Sequence, residues 1–229
     1  MPLRIGGLTP LSTTDYPGQL AAAVFCQGCP WRCGYCHNPH LIPATVKQGI
    51  DWVEVMRFLE RRRGLLDAVV FSGGEPTLQP GLAVAMHKVR NLGFKVGLHT
   101  AGIYPARLAP LLPLLDWVGL DIKAPFTDYT RITGVPGSGD SAEASLELIL
   151  KSGVTHECRT TVHRSFFDAK ALIDLAQALR KKGVRHYALQ TCRSTKSFNL
   201  SGDEDDGEWL RHLGQHIAPW FDQFTLRPA

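Results

Sequence analysis

Short apolar segments alternate with amphipathic segments along most of this 229-residue chain, and that alternation is the feature that most restricts its fold. The apolar segments predict strands over Leu20–Cys26, Ala68–Phe71, Phe94–Leu98, Trp117–Ile122, Thr155–Val162 and His186–Leu189. Helices are predicted over Asp51–Arg63, Pro80–Asn91, Pro105–Leu115, Ser141–Lys151, Asp168–Lys181 and Glu208–His216. Strands that alternate with helices form parallel βα units with right-handed crossovers, so the sequence predicts an α/β fold.

The number of these units limits the architecture. Six predicted strands are too few for a complete eight-stranded barrel, which leaves an open, partial (β/α)6 barrel or a doubly wound sheet. No linker or internal repeat divides the chain, so we expect a single domain over residues 1–229. Its expected parts are an irregular N-terminal extension (1–18), a βα core (19–200) and a C-terminal portion (201–229). That last portion would contain an acidic turn over Gly202–Asp206, the final helix and a short strand near Phe224–Leu226.

Composition argues against several classes of protein. Hydrophobic residues make up 44% and charged residues 20% of the chain, which is ordinary for a globular domain. The formal net charge of +4 is too small to indicate nucleic-acid binding, and the basic runs 61–63 and 180–182 fall at predicted helix ends, where cations complement the helix dipole. No segment approaches the ~20 apolar residues that cross a bilayer, and the N-terminus lacks the apolar part of a signal peptide. We therefore expect a cytoplasmic protein without membrane contact.

Four of the six cysteines lie between Cys26 and Cys36, and in a reducing compartment such a group indicates metal binding or catalysis. Cys29, Cys33 and Cys36 have the spacing C-x3-C-x2-C, which lets three thiolates bind three irons of a 4Fe–4S cluster and leaves the fourth iron open to a substrate. Two alternatives stay open here. One is a structural zinc site that also uses His37, and the other is a closed electron-transfer cluster with Cys26 as fourth ligand. Cys26 ends an apolar strand, however, where a buried thiol behaves as a small hydrophobic side chain.

Glycine or charged residues end other predicted strands, where the active sites of parallel βα folds are built. The segment 72–76, Ser-Gly-Gly-Glu-Pro, follows the second strand, and its paired glycines would let the backbone approach a ligand closely. Asp121 and Lys123 end the fourth strand on one face, either as a surface ion pair or as ligand contacts. Arg159 lies within the apolar fifth strand, where it suits either a carboxylate ligand or a structural ion pair. Together these residues predict a polar site at one edge of the sheet.

Two segments resemble the radical SAM activases of glycyl radical enzymes. They are Asp15-Tyr16-Pro17-Gly18 and the run 25–39, which contains the cysteine loop and ends in Cys36-His37-Asn38-Pro39. Within that family the chain is most similar to the activating proteins of anaerobic ribonucleoside-triphosphate reductase. These flanking motifs are far more specific than the cysteine spacing alone. The resemblance implies a partial (β/α)6 barrel of the radical SAM type, with S-adenosylmethionine and a 4Fe–4S cluster on Cys29, Cys33 and Cys36.

The resemblance also implies a function. The enzyme would cleave S-adenosylmethionine reductively to a 5′-deoxyadenosyl radical, which would then take hydrogen from a backbone glycine of a partner. The implied partner is a glycyl radical enzyme, anaerobic ribonucleotide reductase, and the implied reductant is a flavodoxin or a ferredoxin. The alternative is a radical SAM enzyme acting on a small molecule, such as a 7-carboxy-7-deazaguanine synthase, since that class also uses short, partial barrels.

The same resemblance assigns cofactor contacts to residues at the strand ends. Gly73 and Gly74 would bind the methionine amino group through their backbone, Glu75 would orient their loop, and Arg159 would bind the methionine carboxylate. Further contacts with the cofactor or the substrate are implied for Tyr35, Thr100, Asp121, Lys123 and, with a weaker motif, Gln190 and Arg193. Related activases often have Asp-Thr-Asn-Gly where this chain has His99-Thr100-Ala101-Gly102, so a cation site that depends on that acidic residue is not implied. Cys158, His163 and Cys192 receive no role.

Overall fold

A computed structural model describes residues 3–45, 49–192 and 206–227 of the chain. Its strands are β1 (Ile5–Ser12), β2 (Ala21–Cys26), β3 (Ala68–Gly73), β4 (Lys95–Thr100), β5 (Trp117–Asp121), β6 (His156–Val162), β7 (His186–Thr191) and β8 (Gln223–Arg227). Its helices are α1 (Trp52–Glu60), α2 (Leu82–Asn91), α3 (Pro105–Leu108), α4 (Tyr129–Thr133), α5 (Ser138–Ser152), α6 (Ala169–Lys182) and α7 (Asp206–Ile217). Each predicted strand and helix overlaps one of these elements.

All the described strands belong to one sheet, in which they follow one another in chain order from β1 to β8. Strands β2 to β8 are parallel, and β1 runs antiparallel to β2. A doubly wound sheet reverses its strand order at a switch point, whereas consecutive order is that of a barrel. Because β1 and β8 do not pair, the sheet is not closed. The predicted single-domain α/β fold with a partial barrel is therefore confirmed, with β8 as one more parallel strand.

The prediction of an irregular segment over residues 1–18 is wrong for its central part, because Ile5–Ser12 forms β1. This strand pairs with β2 from Ile5 opposite Cys26 to Ser12 opposite Ala21, with irregularities near both ends. Two glycines and a proline give the segment a weak strand pattern. Pairing with β2, rather than local propensity, therefore makes it a strand.

Two helix predictions also need correction. The predicted helix over Pro105–Leu115 is α only to Leu108 and continues as a 3-10 helix over Ala109–Leu114, within which Pro113 has no N–H to donate. Helix α4 has no counterpart in the prediction, and α5 begins three residues earlier than Ser141. The predicted acidic turn lies outside the described residues except for Asp206, which begins α7.

The two faces of the sheet have different surroundings. Because side chains alternate along a strand, Ala22, Val24 and Cys26 of β2 join the main core that the helices cover, while Ala21 points to the opposite, inner face. On that inner face Tyr16 stacks on Trp117 with 5.2 Å between ring centroids. Their neighbours are the first residues of β2 and β3, so apolar packing fills the N-terminal end of the inner face. Polar side chains line the other end.

No helix in the described part of the chain is long and apolar enough to cross a membrane.

Candidate active site

One cavity at the C-terminal ends of the parallel strands collects the residues that the sequence singled out. Every predicted site residue in the described ranges except Glu75 lines it. From the loop after β2 come Cys29, Cys33, Tyr35 and Cys36, and from β3 to β7 come Gly73, Gly74, Thr100, Asp121, Lys123, Arg159 and Gln190. Parallel pairing brings these strand ends to the same edge of the sheet. Arg193 lies outside the described residues.

Backbone hydrogen bonds hold the cysteine loop in place without using the cysteine side chains. The N–H of Gly28 donates to the carbonyl of Leu41 at 2.7 Å, and that of Cys29 donates to Ile42 at 3.0 Å. The segment that follows Cys36 therefore packs against the segment that leads into Cys29. The three predicted ligands are free thiols that stay partly exposed and line the cavity.

The chemistry of these donors suits an iron–sulfur cluster better than a single metal ion. Within residues 3–45, 49–192 and 206–227, no three Cys, His, Asp or Glu side chains converge closely enough to hold one ion. The cysteine thiols and His37 are therefore not gathered as ligands of one ion in this part of the chain. A 4Fe–4S cluster needs its cysteines farther apart, because each binds a different iron. Burial raises the pKa of Cys29 to about 12 and also raises that of Cys33, so cluster binding would have to displace their protons.

Cys26 faces away from this cavity. It has no exposed surface, belongs to the main core on the helix-covered face of the sheet, and is not among the residues that line the cavity. The arrangement therefore does not favour a closed cluster with Cys26 as fourth ligand. Cys158 is likewise buried in the main core.

The paired glycines at the end of β3 pack directly against the cysteine loop. Gly73 has a φ of +114°, and a Cβ there would lie 2.4 Å from the backbone nitrogen of Cys26. A Cβ on Gly74 would lie 2.3 Å from the carbonyl oxygen of Gly28. The N–H of Gly74 donates to the carbonyl of Cys26 at 2.9 Å, and that of Glu75 to Gly28 at 2.9 Å. The two loops thus form one unit that leaves no room for a side chain.

Glu75 sits behind this unit as a buried carboxylate with four hydrogen bonds. Its Oε1 accepts from the Thr77 N–H at 3.0 Å, the Thr77 hydroxyl at 2.6 Å and the Thr100 hydroxyl at 2.8 Å, and its Oε2 accepts from the Ala101 N–H at 3.0 Å. Burial raises its pKa above the ordinary value, and these hydrogen bonds oppose the rise. Glu75 therefore joins the ends of β3 and β4, and the Thr100 hydroxyl is engaged with it.

A row of charges crosses the cavity wall. Asp121 Oδ1 accepts from Arg159 Nε at 3.1 Å and lies 3.0 Å from Arg159 Nη2, while Asp121 Oδ2 lies 3.6 Å from Lys123 Nζ. Burial alone would raise the pKa of Asp121, but Arg159 and then Lys123 outweigh it and hold that pKa below its ordinary value. Both ion pairs that the sequence left open are thus present, Asp121 with Arg159 and, over a longer distance, Asp121 with Lys123. The contact of Arg159 with a methionine carboxylate stays a prediction.

Tyr35, between the last two cysteines, is almost fully buried and packs its ring against Phe166 at 5.3 Å between centroids. Lys123 Nζ lies 5.8 Å from the centre of the same ring. The tyrosine is therefore packed among side chains and also lines the cavity. Its contact with the cofactor stays a prediction.

Several cavity residues were not predicted from the sequence. Ser72, His99 and Thr161 also line it, and the Gln190 amide donates to the Thr161 hydroxyl at 2.7 Å. Ser72 directly precedes the paired glycines, and Thr161 is two residues beyond Arg159, so strand alternation could have placed both on the inner face. The contact between His99 and the backbone of Asp15 crosses 84 positions of sequence and had no local signal.

Comparison with known proteins identifies relatives that match most or nearly all of the chain. A protein of Methanocaldococcus jannaschii whose name places it among the glycyl-radical enzyme activating enzymes is 30% identical over 238 aligned positions. The alignment covers 99% of this chain and 97% of that protein. The pyruvate formate-lyase-activating enzyme of Clostridium pasteurianum is 30% identical over 185 positions, which cover 77% of each chain.

Among solved structures, SuiB from Streptococcus suis matches with a TM-score of 0.70 at 14% identity. The match covers 89% of this chain but 47% of SuiB, so the chain spans about half the length of that protein and shares the fold of the matched part. The protein-family model for the Radical SAM superfamily, whose members use a 4Fe–4S cluster and S-adenosylmethionine, matches residues 23–176. The chain belongs to the Radical SAM superfamily, and its relatives there include proteins named as activating enzymes of glycyl radical enzymes.

Proposed function

We propose that this protein is an activase that cleaves S-adenosylmethionine reductively and generates a glycyl radical on anaerobic ribonucleoside-triphosphate reductase. The observation that supports this most is that three cysteines, two glycines and a group of three charged side chains line one cavity. A cluster needs thiolate ligands. A cofactor with an amino group and a carboxylate needs backbone that can approach it closely and side chains of fixed charge. Strand ends are where parallel βα folds build such sites.

When bound, the cluster would supply the electron for reductive cleavage of the C5′–S bond of S-adenosylmethionine to methionine and a 5′-deoxyadenosyl radical, which would take a hydrogen atom from glycine Cα. The products would be 5′-deoxyadenosine and a glycyl radical, and the electron would come from a one-electron carrier such as a flavodoxin or a ferredoxin. Cys29, Cys33 and Cys36 would hold the cluster. Gly73 and Gly74 would present backbone to the methionine amino group without side-chain obstruction.

The charged row would receive the methionine carboxylate. Arg159 and Lys123 are cations and Asp121 is an anion, so the three groups together have one net positive charge. One positive charge matches one carboxylate, and the buried setting of Arg159 strengthens the attraction. Lys123 has the longer contact with Asp121, so its ammonium group can turn toward a ligand at less cost than the Arg159 guanidinium.

Support for a protein substrate comes from the motifs and the relatives. The segments Asp15–Gly18 and Cys36–Pro39 match activases, and two relatives at 30% identity are named as activating enzymes. The sheet is also open between β1 and β8, which leaves a side through which a glycine-bearing loop could reach the cavity. The choice of anaerobic ribonucleotide reductase as partner rests on the sequence motifs.

The test is anaerobic reconstitution followed by two measurements. A 4Fe–4S absorbance spectrum that changes on addition of S-adenosylmethionine, with formation of 5′-deoxyadenosine under reduction, is expected of the protein alone. With the anaerobic ribonucleotide reductase of the same organism, electron paramagnetic resonance should detect a glycyl radical on the partner. A cluster that is indifferent to S-adenosylmethionine would refute the cleavage activity. Absence of a glycyl signal with every glycyl radical enzyme of that organism would refute the activase function.

The alternative, a small-molecule radical SAM enzyme such as a 7-carboxy-7-deazaguanine synthase, predicts a different result from the same assay. Formation of 5′-deoxyadenosine would then rise with a small-molecule substrate and would not respond to the partner protein.

A further inference from the structure

His99 is a largely buried histidine on the inner face of β4, in the wall of the cavity, with 11% of its side chain exposed. Its Nε2 lies 2.7 Å from the backbone carbonyl oxygen of Asp15, and its Nδ1 lies 3.3 Å from the hydroxyl of Ser72. A carbonyl oxygen can only accept, so the geometry assigns the proton to Nε2. In the neutral ring Nδ1 is then the acceptor for the Ser72 hydroxyl. The ring thus joins the Asp15–Gly18 segment to β3 and β4.

The surroundings of His99 favour this neutral form. Burial first, and then the charge of Arg159, lower its pKa to about 3, while Asp15 and Asp121 act in the opposite direction. Arg159 Nη1 lies 3.2 Å from Nε2. Since both atoms carry hydrogen, this contact limits how far the guanidinium can move toward β4.

The remaining sides of the guanidinium are also bounded. A Cβ on Gly119 would lie 2.8 Å from Arg159 Cζ, so the guanidinium lies directly on the backbone of β5. The ring of Trp117 is 6.0 Å away, and its edge-to-face partner is His99 at 5.4 Å. With β4, β5 and Trp117 on these sides, Arg159 is directed onto the carboxylate of Asp121.

We propose that His99 is a positioning residue. It fixes Arg159 against Asp121 and so determines the arrangement of the charged row that receives S-adenosylmethionine. It acts through Arg159 rather than by contact with the reacting atoms. The Asp15–Gly18 segment takes part through its backbone carbonyl, which orients the ring. This inference rests on the proposed function, because the affected ligand is the cofactor of that reaction.

The test compares His99→Leu with His99→Gln in reconstituted holoprotein, by equilibrium binding of S-adenosylmethionine and by KM and kcat for 5′-deoxyadenosine formation. His99→Leu is expected to weaken binding and raise KM by about tenfold, the effect of one misplaced charge-assisted hydrogen bond, with a smaller change in kcat. His99→Gln should stay within about threefold of wild type, because its amide can donate to the Asp15 carbonyl. The matched control is His87→Leu, at an exposed position on α2, which should not change either constant.

A double-mutant cycle with Arg159→Met distinguishes a positioning role from a merely structural one. If His99 acts through Arg159, His99→Leu should weaken binding by less than about twofold in the Arg159→Met background. Equal losses in both backgrounds, or wild-type affinity in His99→Leu with only a lower melting temperature, would overturn the inference. If His99→Leu does not take up a cluster, His99→Asn, whose shorter amide does not reach the Asp15 carbonyl, replaces it. A wild-type protein that neither binds nor cleaves S-adenosylmethionine would refute the proposed function instead.

Discussion

The hydroxyl of Thr100, at the end of β4, donates a 2.8 Å hydrogen bond to the carboxylate of Glu75, which has no exposed surface. The same carboxylate accepts from Ala101 and twice from Thr77, so one side chain fixes the ends of two neighbouring strands. Behind the cavity, this connection sets the separation of the glycine loop from β4.

Glu75→Gln should therefore destabilise the protein although it conserves size. The new NH2 group would face donors instead of accepting from them, which leaves buried hydrogen-bond donors unsatisfied at a cost of about 1–3 kcal/mol. Urea denaturation of the two proteins measures the difference. Glu60→Gln, at the exposed end of α1, is the control and should be neutral. Equal stability of Glu75→Gln and wild type would contradict the assigned hydrogen bonds.

Gly74→Ala should separate the glycine loop from the cysteine loop. The added Cβ would overlap the carbonyl oxygen of Gly28, and relief of such an overlap typically costs about 1–3 kcal/mol. We expect lower stability and less iron per protein after reconstitution. Gly207→Ala in α7, where no atom lies within 4 Å of the added carbon, should leave the iron content unchanged. Full cluster content in Gly74→Ala would show that the two loops need not pack this closely.

Tyr16 belongs to the Asp15–Gly18 segment, yet its ring has a packing role on the inner face. Tyr16→Ala removes the ring that stacks on Trp117 and should lower the free energy of unfolding by about 3–5 kcal/mol, as large aromatic truncations do. Tyr16→Phe keeps the ring and should retain most of the stability. Denaturant titration distinguishes the two, and a loss in Tyr16→Phe as large as in Tyr16→Ala would mean that the hydroxyl, not the ring, matters.

Cys33→Ala and Cys26→Ala should behave differently, although both cysteines lie in or beside the same loop. Cys33 lines the cavity, so its loss should abolish the 4Fe–4S spectrum and 5′-deoxyadenosine formation. Cys26 faces the main core, so Cys26→Ala should keep the cluster with a modest loss of stability. Iron and sulfide analysis after anaerobic reconstitution checks both. Loss of the cluster in Cys26→Ala would make Cys26 a ligand.

The ion pair of Asp121 should contribute pH-dependent stability. Its pKa in the folded protein lies below the ordinary value of 3.8, so the stabilisation is full above that pH and is lost as the pH falls through the folded-state pKa. The destabilisation caused by Asp121→Asn should therefore be largest near neutral pH and decrease in acid. Denaturation at a series of pH values measures this. Asp174→Asn, in an exposed pair with Lys170, should have little effect at any pH. A pH-independent difference for Asp121→Asn would contradict the lowered pKa.

Much of the fold followed from local pattern. The alternation of apolar segments with amphipathic helical segments predicted the parallel strands. Strands and helices bury their apolar faces by packing against each other in layers, so alternating elements form a parallel sheet covered by helices. Position at a strand end then predicted that the cysteine loop, Asp121 and Arg159 would lie at the same edge of the sheet, since parallel strands end at one edge. Strand β1 was not predicted, because its local strand propensity is weak and pairing with β2 makes it a strand.

The sequence by itself determined the order of elements, the three-cysteine set and the residues that share a strand end, because spacing and periodicity are local properties of the chain. Tertiary structure alone decided which side chains contact one another within the site. Arg159 of β6 pairs with Asp121 of the neighbouring strand β5, and His99 contacts the backbone carbonyl of Asp15, 84 positions earlier in the sequence. Such partners depend on strand register and on the shape of the inner face, where a guanidinium fits only because Gly119 leaves room for it.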